Sequence, residues 1–292
     1  MTGSSATPMA GRVCVVTGAS SGIGKATSVA LAGLGATVVL VCRDQSRGEA
    51  ALTDVAAAAA STTGSEGQPS LELADLSSME QIRALAAKLA RLPRLDVLIN
   101  NAGLVVARRQ LTADKFELTL AVNHLAPFLL TNLLRPKLEA SAPARVVTVS
   151  SIAHRAAVPR LDDLHSERRY LAMLAYANSK LANVLFTREL ARRLDGSGVT
   201  ANCLHPGTVH SRFGHTGAHW LRFGLAIGGG MLRTPESGAR TVVYLASAPE
   251  VAEQTGGYYV SARLRKPSRR ARDDQLAREL WAISARLTGL AI

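Results

Sequence analysis

Arg12-Val-Cys-Val-Val-Thr17-Gly18-Ala-Ser-Ser-Gly22-Ile-Gly24 is the stretch on which the fold turns. Residues 12–17 are short, apolar and β-branched between Gly11 and Gly18, which predicts a buried strand. The glycines that follow open directly into a helical pattern from Lys25 to Leu34. Strand, glycine-rich turn and helix start together aim backbone N–H groups and the positive end of a helix dipole at a pyrophosphate. Gly18 would make the turn, Gly22 would admit the phosphate closely, and Gly24 would let the helix pack. The spacing is GxxxGxG rather than GxGxxG, so an ordinary tight strand-to-helix turn stays open as the other reading.

Outward from this loop, a second strand is expected over 37–42, closing on Cys42-Arg43-Asp44. At about 20 residues beyond the loop, an acidic side chain binds the 2′-hydroxyl of NAD ribose, whereas a guanidinium fits the 2′-phosphate of NADP. Arg43 favours NADP, and Asp44 keeps NAD open. Residues 45–60 read as an alanine-rich helix, 61–70 as an exposed loop and 71–76 as a third strand. Ser77 is the expected cap of a helix over 79–92. A fourth strand brings Asn100-Asn101-Ala102-Gly103 to the carboxyl end of the sheet, where open α/β sheets bind ligands. A long helix is expected over 114–139. Pro127 inside it predicts a kink near Asn123, with freed backbone groups suited to an ordered water.

A fifth strand over 144–151 delivers Ser150 and Ser151 to the same edge. After a charged, irregular stretch at 152–175, Tyr176-Ala-Asn-Ser-Lys180 opens a helix to about Leu194, with Tyr176 and Lys180 one turn apart on one face. An ammonium beside a phenol favours the phenolate, which would bring this hydroxyl towards working pH as a proton donor and acceptor. The sixth strand, 198–205, is closed by Pro206-Gly207-Thr208. Residues 209–233 read either as a mobile apolar lid around Gly228-Gly-Gly230 or as a helix pair packed on the core. Thr234 caps a helix to about Ala246, a last strand covers 256–260, and an amphipathic helix over 274–287 closes the chain.

Composition bounds these readings. With 47% hydrophobic and 19% charged residues in 292, the chain is not disordered, and it fits one α/β domain over 1–292 with a flexible N-terminus at 1–10. The alternation of strands and helices predicts a doubly wound (Rossmann) sheet of about seven parallel strands, with helices on both faces. Cys14, Cys42 and Cys203 are scattered, which argues against a disulfide framework or a metal site and for a reducing, cytoplasmic setting. No signal peptide and no apolar run of about 20 residues is visible, so no transmembrane anchor is expected. The net charge of +12 includes six cations within 263–272. Asp273 and Asp274 follow and no aromatics interleave, so this cluster reads as a solvated loop rather than a nucleic-acid or membrane contact.

Thr17-Gly18-Ala-Ser-Ser-Gly22-Ile-Gly24, Asn100-Asn101-Ala102-Gly103, Ser151, Tyr176-xxx-Lys180 and Pro206-Gly207 jointly resemble the short-chain dehydrogenase/reductase family, from about residue 10 onward. Cys42-Arg43-Asp44, Val122-Asn-His-Leu125, Ser150-Ser151-x-Ala153-His154, the segment from Ser179 to Leu190, His205-Pro-Gly and Arg278-x-Leu-Trp281 look like its retinol dehydrogenase-like branch. The resemblance implies that Tyr176 is the general acid or base, Lys180 its partner and ribose ligand, and Ser151 a hydrogen-bond donor to the substrate oxygen. It also implies that Asn123 holds a water linking Lys180 to solvent. Gly18, Ser20, Ser21, Gly22, Ile23, Gly24, Arg43, Asp75, Leu76, Asn101, Ala102, Gly103, Pro206, Gly207 and Thr208 would line NADP, with NAD the weaker choice. The implied activity is hydride transfer between NADP(H) and an apolar aldehyde, ketone or alcohol. The alternatives are a catalytically idle dinucleotide-binding regulator and a reductase of a ring double bond. Pairing of the helices near 116–139 and 176–194 in the wider family leaves a homodimer or homotetramer open.

Overall fold

The computed structural model describes residues 7–62, 67–207 and 234–291. Eight strands form one sheet: β1 (Val13–Thr17), β2 (Thr37–Cys42), β3 (Ser70–Leu73), β4 (Val97–Asn100), β5 (Ala144–Val149), β6 (Val199–His205), β7 (Tyr258–Val260) and β8 (Arg263–Leu264). Their order is β3-β2-β1-β4-β5-β6-β7-β8. The first seven run parallel, as expected; the eighth is an addition, antiparallel to β7 with Tyr259 facing Leu264. Because the order runs outward in both directions from β1 and β4, the connections diverge there and open a crevice at the carboxyl ends of these two strands.

Period-two alternation explains the layers. On β1, Val13 and Val15 face the cluster built by α3 (Met79–Leu89), α5 (Ala126–Ala140), α6 (Ala172–Arg193) and α8 (Asp274–Thr288), represented by Ile82, Leu129, Phe186 and Trp281. Cys14 and Val16 point the other way, onto α1 (Gly22–Gly33), α2 (Gln45–Ala60) and α7 (Pro235–Ser247), through Leu31, Val55 and Leu245. Strands buried on both faces therefore read as continuous apolar runs.

Several boundaries move for local reasons. Ser78, not Ser77, caps α3 by accepting from the Gln81 amide. β3 ends at Leu73, which leaves Asp75 and Leu76 in the loop beyond it. The helix expected from 114 begins only at α4 (Leu118–Leu120), because the Glu117 carboxylate accepts from the amides of Thr119 and Leu120 and starts the helix there. The stretch at 152–175 is not wholly irregular, since Ile152–Ala156 forms a 3₁₀ turn. Within the N-terminal stretch, Met9 is buried and its amide donates to the Leu34 carbonyl. Residues 1–6, Thr208 and the expected lid at 209–233 lie outside the described residues. Among the described residues, no helix is long and apolar enough to cross a membrane.

Candidate active site

The glycine loop is shaped by backbone sterics. Gly18 and Gly22 have φ of +66° and +54°, a region that costs other residues strain. A Cβ at Gly24 would overlap the Gly18 carbonyl oxygen and Asn101 Nδ2, so only glycine lets α1 sit this close. Asn101 Nδ2 donates to the Thr17 carbonyl at 2.8 Å and to that of Gly18 at 3.3 Å. Thr17 Oγ1 donates to the Ile99 carbonyl and accepts from the Asn101 and Ala102 amides at 3.0 and 3.1 Å. These bonds tie the loop to the end of β4. The sequence marked Thr17 as the end of a strand and the head of the glycine motif but gave its hydroxyl no role; a hydroxyl ending a buried strand beside a glycine was the available signal. Ser21 precedes α1 without capping it through its side chain, and such a helix start suits an anion. The cradle therefore fits a pyrophosphate.

Arg43 is exposed at the end of β2. Its neighbour Asp44 is engaged in capping α2, with Oδ1 accepting from the Arg47 amide at 2.8 Å. The Asp75 carboxylate accepts from the Ser77 amide and hydroxyl at 2.9 and 2.8 Å, while Leu76 packs against the core. Pro206 and Gly207 follow β6 at the same edge, Gly207 with φ +89°.

Ser151, Tyr176 and Lys180 are all buried, at 8%, 6% and 2% exposure. Ser151 lies close enough to the Tyr176 phenol to pull its pKa down. Lys180 Nζ donates to the Val149 carbonyl at 3.0 Å and lies over the face of the Tyr176 ring, 5.6 Å from its centroid. Here the expectation about the phenol is corrected. Burial pushes Tyr176 up to about 12, against a smaller downward pull from Ser151, because desolvation penalises the phenolate. Burial also brings Lys180 down to about 8. Ser150, the first of the two hydroxyls, donates to the Lys180 carbonyl at 2.7 Å and so braces α6 rather than facing the phenol.

Asn123 sits, wholly buried, in a π turn (Ala121–Leu125) in which the Ala126 amide reaches the Ala121 carbonyl. Pro127 lacks the N–H that would satisfy the Asn123 carbonyl, so the expected kink takes the form of this wider turn. Asn123 exchanges two bonds with the Leu104 backbone, at 2.7 and 2.9 Å, and donates to Ser179 Oγ at 3.0 Å. It meets α6 one residue from Lys180 but does not contact the ammonium through these bonds. A shallow groove lined by Leu161, Leu181, Ala182, Leu185 and Leu280 opens on the side of α6 away from Tyr176 and Lys180, with Ser179 at its border. Among the described residues no cluster of side chains could hold a metal ion.

A sequence profile described as short chain dehydrogenase matches residues 12–221. Retinol dehydrogenase 13 of Homo sapiens is 45% identical over 287 residues, spanning 96% of this chain and 85% of that protein. A crystal structure of an uncharacterized protein from Mycobacterium Paratuberculosis superposes with a TM-score of 0.75 at 38% identity, over 96% of this chain and 94% of the other. A short chain dehydrogenase from Burkholderia cenocepacia J2315, solved in complex with NADP, superposes with a TM-score of 0.68 at 28% identity, covering 86% and 96% of the two chains. The parallel sheet, its glycine loop and these likenesses agree: the chain belongs to the short-chain dehydrogenase/reductase family, in its retinol dehydrogenase-like branch.

Proposed function

We propose that this dehydrogenase/reductase uses NADP(H) to interconvert an apolar aldehyde or ketone and the corresponding alcohol, and that Ser151, Tyr176 and Lys180 carry the proton chemistry. The observation supporting this reading is that Ser151, Tyr176 and Lys180 are buried at the sheet edge that also bears the glycine loop, with the Lys180 ammonium over the Tyr176 ring and Ser151 pulling on the phenol. When bound, the nicotinamide supplies or accepts the hydride. The phenol of Tyr176, protonated at neutral pH because it is buried, gives its proton to the carbonyl oxygen, and Ser151 donates a second hydrogen bond to that oxygen. Lys180 holds the nicotinamide ribose, and with its own proton held near pH 8 it returns a proton to Tyr176. Asn123, by fixing the π turn against α6, keeps a carbonyl available for the water that connects Lys180 to solvent.

Gly18, Ser20, Ser21, Gly22, Ile23, Gly24, Asp75, Leu76, Asn101, Ala102, Gly103, Pro206, Gly207 and Thr208 line the dinucleotide in this proposal. Arg43 takes the 2′-phosphate, since Asp44 is already spent on the cap of α2. Retinal belongs among the candidate substrates because retinol dehydrogenase 13 is a relative. The cytoplasm is the proposed setting, where three free cysteines stay reduced. The test is NADPH oxidation with straight-chain aldehydes, ketones and retinal of graded length, repeated with NADH and with Tyr176→Phe. We expect turnover with NADPH and its loss in Tyr176→Phe without loss of NADPH binding. Full activity in that variant would sink the assignment.

A further inference from the structure

Ser151 begins the 3₁₀ turn Ile152–Ala156, and its side chain accepts from the Ala153 amide at 3.2 Å. Three residues on, His154 is 1% exposed and its Nδ1 lies 2.7 Å from the Ser151 carbonyl oxygen. Its other nitrogen, Nε2, lies 3.1 Å from the Ser268 amide. Each partner has only one role available: a carbonyl can only accept and a backbone N–H can only donate. The ring is therefore neutral with its proton on Nδ1, donating to Ser151 and accepting from Ser268. Both nitrogens are used, and the ring face is held edge-on against Tyr258, 4.9 Å between centroids.

Ser268 lies in the basic stretch that composition marks as a solvated loop. Its guanidinium groups do reach solvent, yet its backbone is docked on the serine turn. Arg155 Nη2 donates to the Lys266 carbonyl at 2.9 Å, Arg270 Nη1 donates to the Ala157 carbonyl, and Ala271 is fully buried among Ala153, Ala157 and Tyr176. His154 is the bond between this strap and the residue whose carbonyl starts the turn.

We propose that His154 is a positioning residue for Ser151: it fastens the strap 266–272 to the serine turn through a tautomer-fixed bridge, which opens when the ring gains a second proton. This rests on Ser151 being the hydroxyl that meets the substrate oxygen. Protonation would turn Nε2 from an acceptor into a donor facing the Ser268 N–H, leaving two donors opposed. The groups around the ring resist that second charge. Arg155 shares its turn, and Lys266, Arg269, Arg270 and Arg272 come from the strap, with Asp273 beyond them capping α8. Tyr258 faces the ring from β7 with Cys203 of β6 behind it, and Tyr176 and Lys180 belong to α6, which packs on the same turn. Burial holds His154 below its ordinary value against an upward pull from the Ser151 carbonyl, with a smaller downward push from Arg155. The bridge is thus intact at neutral pH and is lost as pH falls through a value below 6.5.

The test uses the full-length protein with NADPH and the best carbonyl substrate of the screen above. His154→Phe keeps an aromatic ring against Tyr258 but removes both bonds; it should lower kcat about 10- to 100-fold with little change in NADPH affinity. His154→Asn, whose side-chain N–H can replace Nδ1–H towards Ser151, should recover most of that loss. The wild-type kcat should fall on the acid side of a single step, and His154→Asn should lack that step. Two readouts need no turnover: ¹⁵N NMR of the histidine ring should show the Nδ1–H tautomer at neutral pH, and the Ser268 amide should exchange slowly at neutral pH and rapidly in acid. Wild-type kcat in His154→Phe, an acid step that persists in His154→Asn, or an Nε2–H ring at neutral pH would each overturn the proposal. An active Tyr176→Phe would instead overturn the catalytic assignment and leave the tautomer and the Ser268 exchange to be judged alone.

Discussion

At the scale of single residues, Lys180 carries the largest tension between folding and function. An unfolded lysine binds its proton up to about pH 10.4, whereas burial brings Lys180 down to about 8. The unfolded chain therefore holds the proton more tightly between these values. The resulting penalty is fully present below pH 8 and fades as pH rises towards 10.4. Lys180→Met should abolish turnover yet stabilise the protein at pH 7 by about 1–3 kcal/mol, read by urea unfolding, with the gain vanishing near pH 10.5. The Val149 carbonyl keeps a second donor, Asn183 Nδ2 at 3.4 Å, so the substitution does not leave it bare. Arg43 poses a question of selectivity instead. Arg43→Ala should weaken NADPH by about tenfold or more and NADH far less, measured as dissociation constants; equal losses would contradict a guanidinium–phosphate contact.

At the scale of elements, the closing helix does more than complete the chain. α8 presents Trp281 to α5 and α6, its ring 4.9 Å from that of Phe128 and 5.8 Å from that of Phe186, under the Arg193 guanidinium at 4.4 Å. Ser284 on the same helix meets His124 Nε2 at 2.8 Å, so α8 is hydrogen-bonded to the π turn that carries Asn123. Burial holds His124 down to about 4, which keeps that ring neutral across the working range. Trp281→Ala should cost about 3–5 kcal/mol in urea unfolding. A loss below about 1 kcal/mol would mean that α8 is not part of the cooperative core. The amphipathic pattern of 274–287 was legible in the sequence because it is periodic. Its target was not, because nothing in that pattern says which helices receive the apolar face.

At the scale of the whole molecule, the two edges of the sheet have different work. The amino edge is held by Asp96, whose carboxylate accepts from the Val13 amide at 2.8 Å and from Arg12 and Arg94 at 2.7 and 2.5 Å. Burial alone would raise its pKa, but Arg94, the Val13 N–H and Arg12 outweigh it and hold the carboxyl below the usual carboxylate range. Its stabilisation is therefore complete above that range and is lost as pH falls through the lowered folded value. Asp96→Asn should cost about 2–4 kcal/mol at pH 7 and flatten the acid end of the stability profile. NADPH affinity should be unchanged, because the change lies at the edge away from the glycine loop. A large loss of NADPH binding would mean that the two edges are coupled.

The sequence by itself determined the parallel sheet, the glycine turn that opens α1 and the placing of Tyr176 and Lys180 one turn apart on one helix; the grouping of Ser151 with them came from the family resemblance. Those features are written locally, as runs of β-branched residues, as glycines where a side chain cannot fit, and as a helical spacing of four. The tertiary structure alone decided how the members are charged and what holds them. Desolvation of Tyr176 is set by everything packed around it, and so exceeds the pull expected from a lysine one turn away. The same holds for Thr17, which braces the loop across 82 or more residues, and for His154, which reaches 114 residues forward to Ser268. Contacts between residues so far apart in the chain leave no period and no spacing to read; they exist only once the sheet has brought its carboxyl edge together.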